Sequence, residues 1–69
     1  MIFIRISLNG DSQEIPVETS INGLFSFLDL SDKFIAVELN NEIVFRANWE
    51  KVKLSEGDKI ELVRAIGGG

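Results

Sequence analysis

The opening stretch, MIFIRISLNGDSQEIPVE, constrains this chain more than any other segment. Ile2, Ile4, Ile6 and Leu8 recur at every second position with Arg5 and Ser7 between them, so one side of an extended segment is apolar and the other polar. Asn9, Gly10 and Asp11 follow, all residue types that tolerate positive φ, and apolar positions resume at Ile15 and Val17. The pattern predicts an antiparallel hairpin. Pro16 has no N–H for a ladder, which places the second strand at a sheet edge.

A lone hairpin cannot bury its apolar face, and the next segment changes period to supply a cover. Ile21, Leu24, Phe25 and Leu28 fall at i, i+3, i+4 and i+7, predicting a short amphipathic helix over about 20–30, with Thr19 or Ser20 as its cap and Gly23 as a weak point. Ile35, Val37 and Leu39 then share one strand face. The chain turns at Asn40 and Asn41 and resumes with Ile43 and Phe45 as a second strand pair. RANWEKVKLSEGD suits a short helical turn or loop. KIELVRAI closes as a strand with Ile60 and Leu62 inward.

Strand, strand, helix, strand, strand, turn, strand is an α+β order. With the last strand beside the first and parallel to it, the predicted architecture is a β-grasp, the ubiquitin-like arrangement of a mixed four- to five-stranded sheet packed on one helix. The expected organisation is one domain over 1–66 and a flexible glycine tail over 67–69.

Composition removes several kinds of chemistry. The 69 residues include neither Cys nor His, so disulfides, thiolate or imidazole metal sites, and Ser-His or Cys-His nucleophile pairs are unavailable. A general acid or base would have to be a carboxylate or lysine, and the chain is expected to be no enzyme. A net charge of −4 opposes nucleic acid and anionic membranes as partners. No apolar run approaches the roughly 20 residues of a membrane span. The start resembles no signal peptide, because Arg5 and Ser7 interrupt it. A cytoplasmic protein, monomeric when free, is expected.

The sequence finishes RAIGGG. A glycine run at a terminus is commonly a disordered tail or a cloning scar. Here it abuts a strand with no linker, and it opens no helix that could cradle phosphate. Three glycines make a narrow thread able to take φ values that other residues avoid.

The segment from Ile35 to Gly69, with an Asn turn, "IV", Arg46, Trp49 and L..GD.IE.V...GGG, is similar to the ThiS family, the sulfur carriers of thiamine biosynthesis. The first half, with LNG before an acidic turn and a threonine opening the helix, is compatible with the same family. Two positions depart from it: Phe45 stands where Pro is frequent, and Asn41 where Gly commonly follows Asn. The departures bear on a turn and an edge strand.

The resemblance implies that Gly69 is activated as an acyl-adenylate by a ThiF-like adenylating enzyme and converted to a thiocarboxylate. A separate sulfur donor protein supplies the sulfur, which passes to a ThiG-like thiazole synthase. It implies that Gly68 and Gly67 give access to the partner site, with Ile66 and Arg64 as contacts of the adenylating enzyme. ATP would bind the partner, and this chain would bind no cofactor. Two alternatives stand beside this reading: a molybdopterin-type carrier subunit, and a ubiquitin-like modifier or interaction module.

Other candidates are weaker. Trp49 reads either as a partner contact or as cover for a small core, the second being commoner. Phe3, Phe27, Val44 and Phe45 fall off the expected core faces and suggest a docking patch. Glu38, Glu42, Glu50, Glu56, Asp58 and Glu61 lack the spacing of a calcium loop and read as a solvated surface.

Overall fold

The computed structural model describes residues 2–30 and 34–64, and the side chains of Phe34, Ile35 and Arg64 lie outside that description. Strands β1 (Phe3–Leu8) and β2 (Asp11–Pro16) precede helix α1 (Ile21–Phe27). Then come β3 (Phe34–Leu39), β4 (Glu42–Phe45), a 3-10 turn (Arg46–Asn48) and β5 (Lys59–Arg64). The sheet runs β2-β1-β5-β3-β4, with β5 parallel to β1 and antiparallel to β3. This is the predicted mixed sheet of four to five strands, here five, with β5 in its middle.

Both hairpins close through two-residue turns whose residues all have positive φ: Asn9 at 50° and Gly10 at 90°, Asn40 at 52° and Asn41 at 73°. Such turns match the twist of the strands they join. They also fix the register, pairing Leu8 with Asp11 and Leu39 with Glu42. Pro16 ends edge strand β2 opposite Phe3. Arg5 and Ser7, in phase with Phe3, send their backbone groups toward residues 56–58, so the Pro16 nitrogen faces away from β1 and its missing hydrogen costs no ladder bond.

Helix α1 has only seven residues and would not persist in isolation. Its ends explain why it persists here. The Ser20 hydroxyl accepts from Gly23 N–H at 3.0 Å, and the segment joining β4 to β5 crosses the helix start to accept the two amides before it, Ile21 N–H by the Val52 carbonyl and Asn22 N–H by the Trp49 carbonyl. Thr19 is not the cap; its hydroxyl donates to the Pro16 carbonyl. At the other end Asp29 has φ 54°, its amide donates to Ser26, and Leu30 N–H donates to the Phe25 carbonyl. That pair of bonds is a Schellman closure, which stops the helix short of the predicted Leu30 while turning Leu30 back onto the core.

The core joins Ile6, Leu8, Ile15, Val37 and Ile60 of the sheet to Ile21, Leu24 and Phe25 of the helix, with Trp49 and Leu54 contributed by the crossing segment. Among the described residues no polar or charged residue is buried. Two expectations need correction. Ile2 and Val17 are exposed rather than buried; bonded to one another through Val17 N–H and the Ile2 carbonyl, they close the hairpin's open end outside the core cluster. In β4 the inward residue is Val44, because the two-residue turn sets it opposite Val37; Ile43 and Phe45 consequently face the other side of the sheet.

Candidate functional site: the last strand and the open sheet face

Arg64 is the final residue of β5, and Ala65–Gly69 continue from it outside the described residues, so the expected roles of Gly67, Gly68, Gly69 and Ile66 fall on positions of which the structure says nothing. The strand that carries them is held from both sides. On the β3 side it pairs from Ile60 opposite Leu39 to Arg64 opposite Phe34. On the β1 side pairing is confined to Ser7 with Lys59 and Leu8 with Ile60.

Two asparagines extend this grip. Asn9 N–H donates to the Ile60 carbonyl at 2.8 Å, and its side-chain Oδ1 accepts from Leu62 N–H at 2.9 Å. Asn40 N–H donates to the Lys59 carbonyl at 2.8 Å, and its Oδ1 accepts from Lys59 N–H at 2.9 Å. In both, the next ladder bond would go to the asparagine's own backbone carbonyl, which the turn has rotated away. The side-chain carbonyl takes its place. Few side chains tolerate positive φ and also offer a short amide oxygen, so Asn serves turn and ladder together. Asn40 Nδ2 further donates to Asp58, whose carboxylate accepts from Ser55 N–H and so fixes the Gly57 turn that leads into β5. The sequence carried a signal for this in the recurrence of Leu-Asn at Leu8-Asn9 and Leu39-Asn40, each followed by a second turn residue and an acid.

On the sheet face opposite α1 the described side chains range from exposed Phe45 and Ile43 to buried Ala36. Register places Phe45, Ala36 and Val63 in one row across β4, β3 and β5, one residue before the end of β5, with Ile43, Glu38 and Glu61 in the next row. Phe45 is 64% and Ile43 55% exposed. Lys59 and Glu61 pair at 3.6 Å along the same face of β5. The row is therefore an apolar strip with an acidic margin, one residue before the last described residue of β5.

The four residues expected as a docking patch are not brought together. Val44 packs on the core, Phe27 lies on α1, and Phe3 stands opposite Pro16 across the sheet; Phe45 alone joins the strip, with Ile43. Phe45, where the family frequently has Pro, has φ −78° and ψ 157°, values a proline would also take, so the departure leaves the backbone path intact and adds an aromatic side chain. Asn41, the other departure, accommodates positive φ as Gly would.

Trp49 is core. It is 2% exposed, its ring stacks on Phe25, the Arg46 guanidinium sits 4.8 Å from its centroid, and its Nε1 donates to the Val44 carbonyl at 2.8 Å. The single donor of the indole is thus satisfied where it is buried. Acidic side chains form no metal-binding group among the described residues. Two ion pairs, Arg5 with Glu14 and Lys53 with Glu18, have side chains more than half exposed and add little stability.

A five-stranded mixed sheet in the order β2-β1-β5-β3-β4, packed on one helix, defines a β-grasp domain of the ubiquitin-like class. Comparison with known proteins gives the family: the ThiS family profile matches residues 6–69, and the chain belongs to that family. It is similar to the sulfur carrier protein ThiS of Bacillus subtilis, 34% identical over 65 residues that cover 93% of this chain and 98% of that one. It is also similar to a thiazole synthase of Magnetococcus marinus, 38% identical over 66 residues, covering 96% of this chain but only 20% of that protein's length. Among solved structures, the thiamine biosynthesis protein ThiS of Geobacter metallireducens superposes with a TM-score of 0.82 at 25% identity, covering 96% of this chain and all of that one.

Proposed function

We propose that this protein is a sulfur carrier of thiamine biosynthesis, a protein substrate and not a catalyst, whose reactive group is the backbone carboxylate of Gly69. The observation that carries this reading is the extent of the family match, which runs through Gly67, Gly68 and Gly69.

The chemistry follows from what a carboxylate can do. Ionised at neutral pH, it is a poor electrophile and must be activated. Its oxygen attacks the α-phosphate of ATP held by an adenylating enzyme, pyrophosphate leaves, and an acyl-adenylate remains. A sulfur nucleophile from a donor protein's persulfide then attacks the acyl carbon and expels AMP. The resulting acyl disulfide is cleaved by a thiol, which becomes part of a disulfide and releases the thiocarboxylate. Gly67 and Gly68 keep the thread slim where it enters each partner, and Arg64 and Ile66 contact the adenylating enzyme at the tail's base.

Thiazole synthase is the proposed acceptor of the sulfur. Support comes from the thiazole synthases of Magnetococcus marinus and Paramagnetospirillum magneticum, in each of which a stretch similar to nearly all of this chain makes up 20% of the length. Evolution has there joined a carrier-like segment to the enzyme in one polypeptide, consistent with two parts that must meet. The apolar strip of Phe45, Ala36 and Val63, with Ile43, is the proposed docking face, its acidic margin suited to basic partner surfaces. Reaction takes place in the cytoplasm.

The test is intact-mass analysis of the purified protein incubated with ATP, an adenylating enzyme and a sulfur source. The expected product is heavier by the difference between one sulfur and one oxygen. An unchanged mass, under conditions that load the Bacillus subtilis carrier, overturns the reading.

A further inference from the structure

We propose that Asn9 is a positioning residue for the reaction at the chain end: its side-chain carbonyl supplies one rung of the sheet after β1 has turned away, and thereby fixes the direction in which β5 hands over the residues beyond Arg64. The inference rests on the carrier reading above.

The argument is geometric. Residues of β5 alternate the side to which their backbone groups point, and Ile60 and Leu62 point toward β1. Strand β1 ends at Leu8, opposite Ile60. Past that position β5 would show β1's side an unpaired amide, at the part of the strand nearest the tail. Asn9 Oδ1 accepts that amide at 2.9 Å, from an exposed turn 53 residues away in sequence. Asn40 makes the matching bond at the opposite end of β5, to Lys59, where ladder bonds to β3 follow and no tail departs. The two asparagines share a turn type and a bonding pattern, and they differ in how far they act from the chain end. That difference separates positioning from stability.

A β5 end held on both sides arrives at a partner's active site already aimed. A frayed end must be ordered during binding, and this cost appears in the KM for the carrier while kcat at saturation is kept. The experiment measures pyrophosphate release by an adenylating enzyme with ATP and each of four proteins: the unaltered chain, N9G, N9D and N40G. Asn9→Gly preserves the positive-φ turn and deletes the acceptor; Asn9→Asp keeps an acceptor at the same reach.

One hydrogen bond of ordinary strength corresponds to about a five-fold change. The expected result is a KM raised about five-fold in N9G, restored in N9D and unchanged in N40G, with faster amide exchange at Leu62 in N9G alone. Equal KM for N9G and the unaltered chain, or a rise as large in N40G as in N9G, overturns the assignment while leaving the carrier reading intact. No pyrophosphate release from the unaltered chain overturns the carrier reading, and the assignment with it.

Discussion

The Trp49 indole lies on the Phe25 ring with centroids 4.8 Å apart and planes 18° from parallel, joining the segment that crosses from β4 to β5 to the buried side of the helix. The same residue accepts an amide at the helix start through its backbone carbonyl and donates its Nε1 to Val44. Three elements converge on one side chain. Trp49→Phe preserves the stacking and loses the indole bond and part of the volume, which should cost about 1–3 kcal/mol. Urea unfolding followed by far-UV circular dichroism measures this, and a loss too small to detect would show that the crossing segment is held by its backbone bonds alone.

Asp29 closes the helix in a left-handed conformation, at φ 54°, that glycine adopts without a Cβ penalty. Asp29→Gly should therefore raise stability, by about 0.5–1 kcal/mol after the greater freedom of the unfolded glycine is subtracted. Thermal unfolding at matched pH reads the sign directly. A fall would mean that the aspartate carboxylate has a stabilising role outweighing its backbone strain.

The apolar strip should separate binding from folding. Ile43→Ser and Phe45→Ser change exposed side chains and should alter stability by no more than about 0.5 kcal/mol. Together they should weaken association with the adenylating enzyme or thiazole synthase by about ten-fold or more if the strip is the docking face. Titration calorimetry with each partner checks this, and Phe27→Ser, on the helix, is the matched control.

Substitutions in the tail should act on function alone. Gly69→Val, or deletion of Gly68 and Gly69, should abolish thiocarboxylate formation and thiamine-independent growth of a carrier-deficient strain, with the unfolding midpoint unchanged. Growth unimpaired by the deletion would remove the carboxylate of Gly69 from the mechanism, and growth unimpaired by Gly69→Val would remove the need for a narrow chain end.

Much of this architecture is readable from local pattern. Alternation through Ile4, Ile6 and Leu8, the Asn-Gly turn and the helical spacing of Ile21, Leu24, Phe25 and Leu28 each report which side of an element is buried, and the structure agrees. Pro16 marks an edge because its chemistry permits little else there.

What pattern could not settle is parity and reach. In EIVF three apolar residues stand in succession, so either parity is consistent with a strand, and the register of the Asn40-Asn41 turn selects Val44. Ile2 continues the alternation perfectly and is still exposed, since periodicity does not report where the covering elements end. Trp49, in a polar run, has no periodic partner; its burial depends on Phe25 and Val44, both distant in sequence or on another element. The candidate site divides similarly. Its glycines are visible as composition, whereas the strip of Phe45, Ala36 and Val63 exists only once three strands are aligned, and the asparagine bonds to β5 only once both turns are built.

Placing the final strand at the centre of the sheet has a consequence for how the molecule is made. A nascent polypeptide halted before Lys59 holds two hairpins with no strand to join them into one sheet, linked only through the helix and the crossing segment, and must wait for β5 before the sheet side of the core can close. Ribosomal products truncated there should remain open to proteases, leaving a mature population enriched in molecules that reached the distal end of their message.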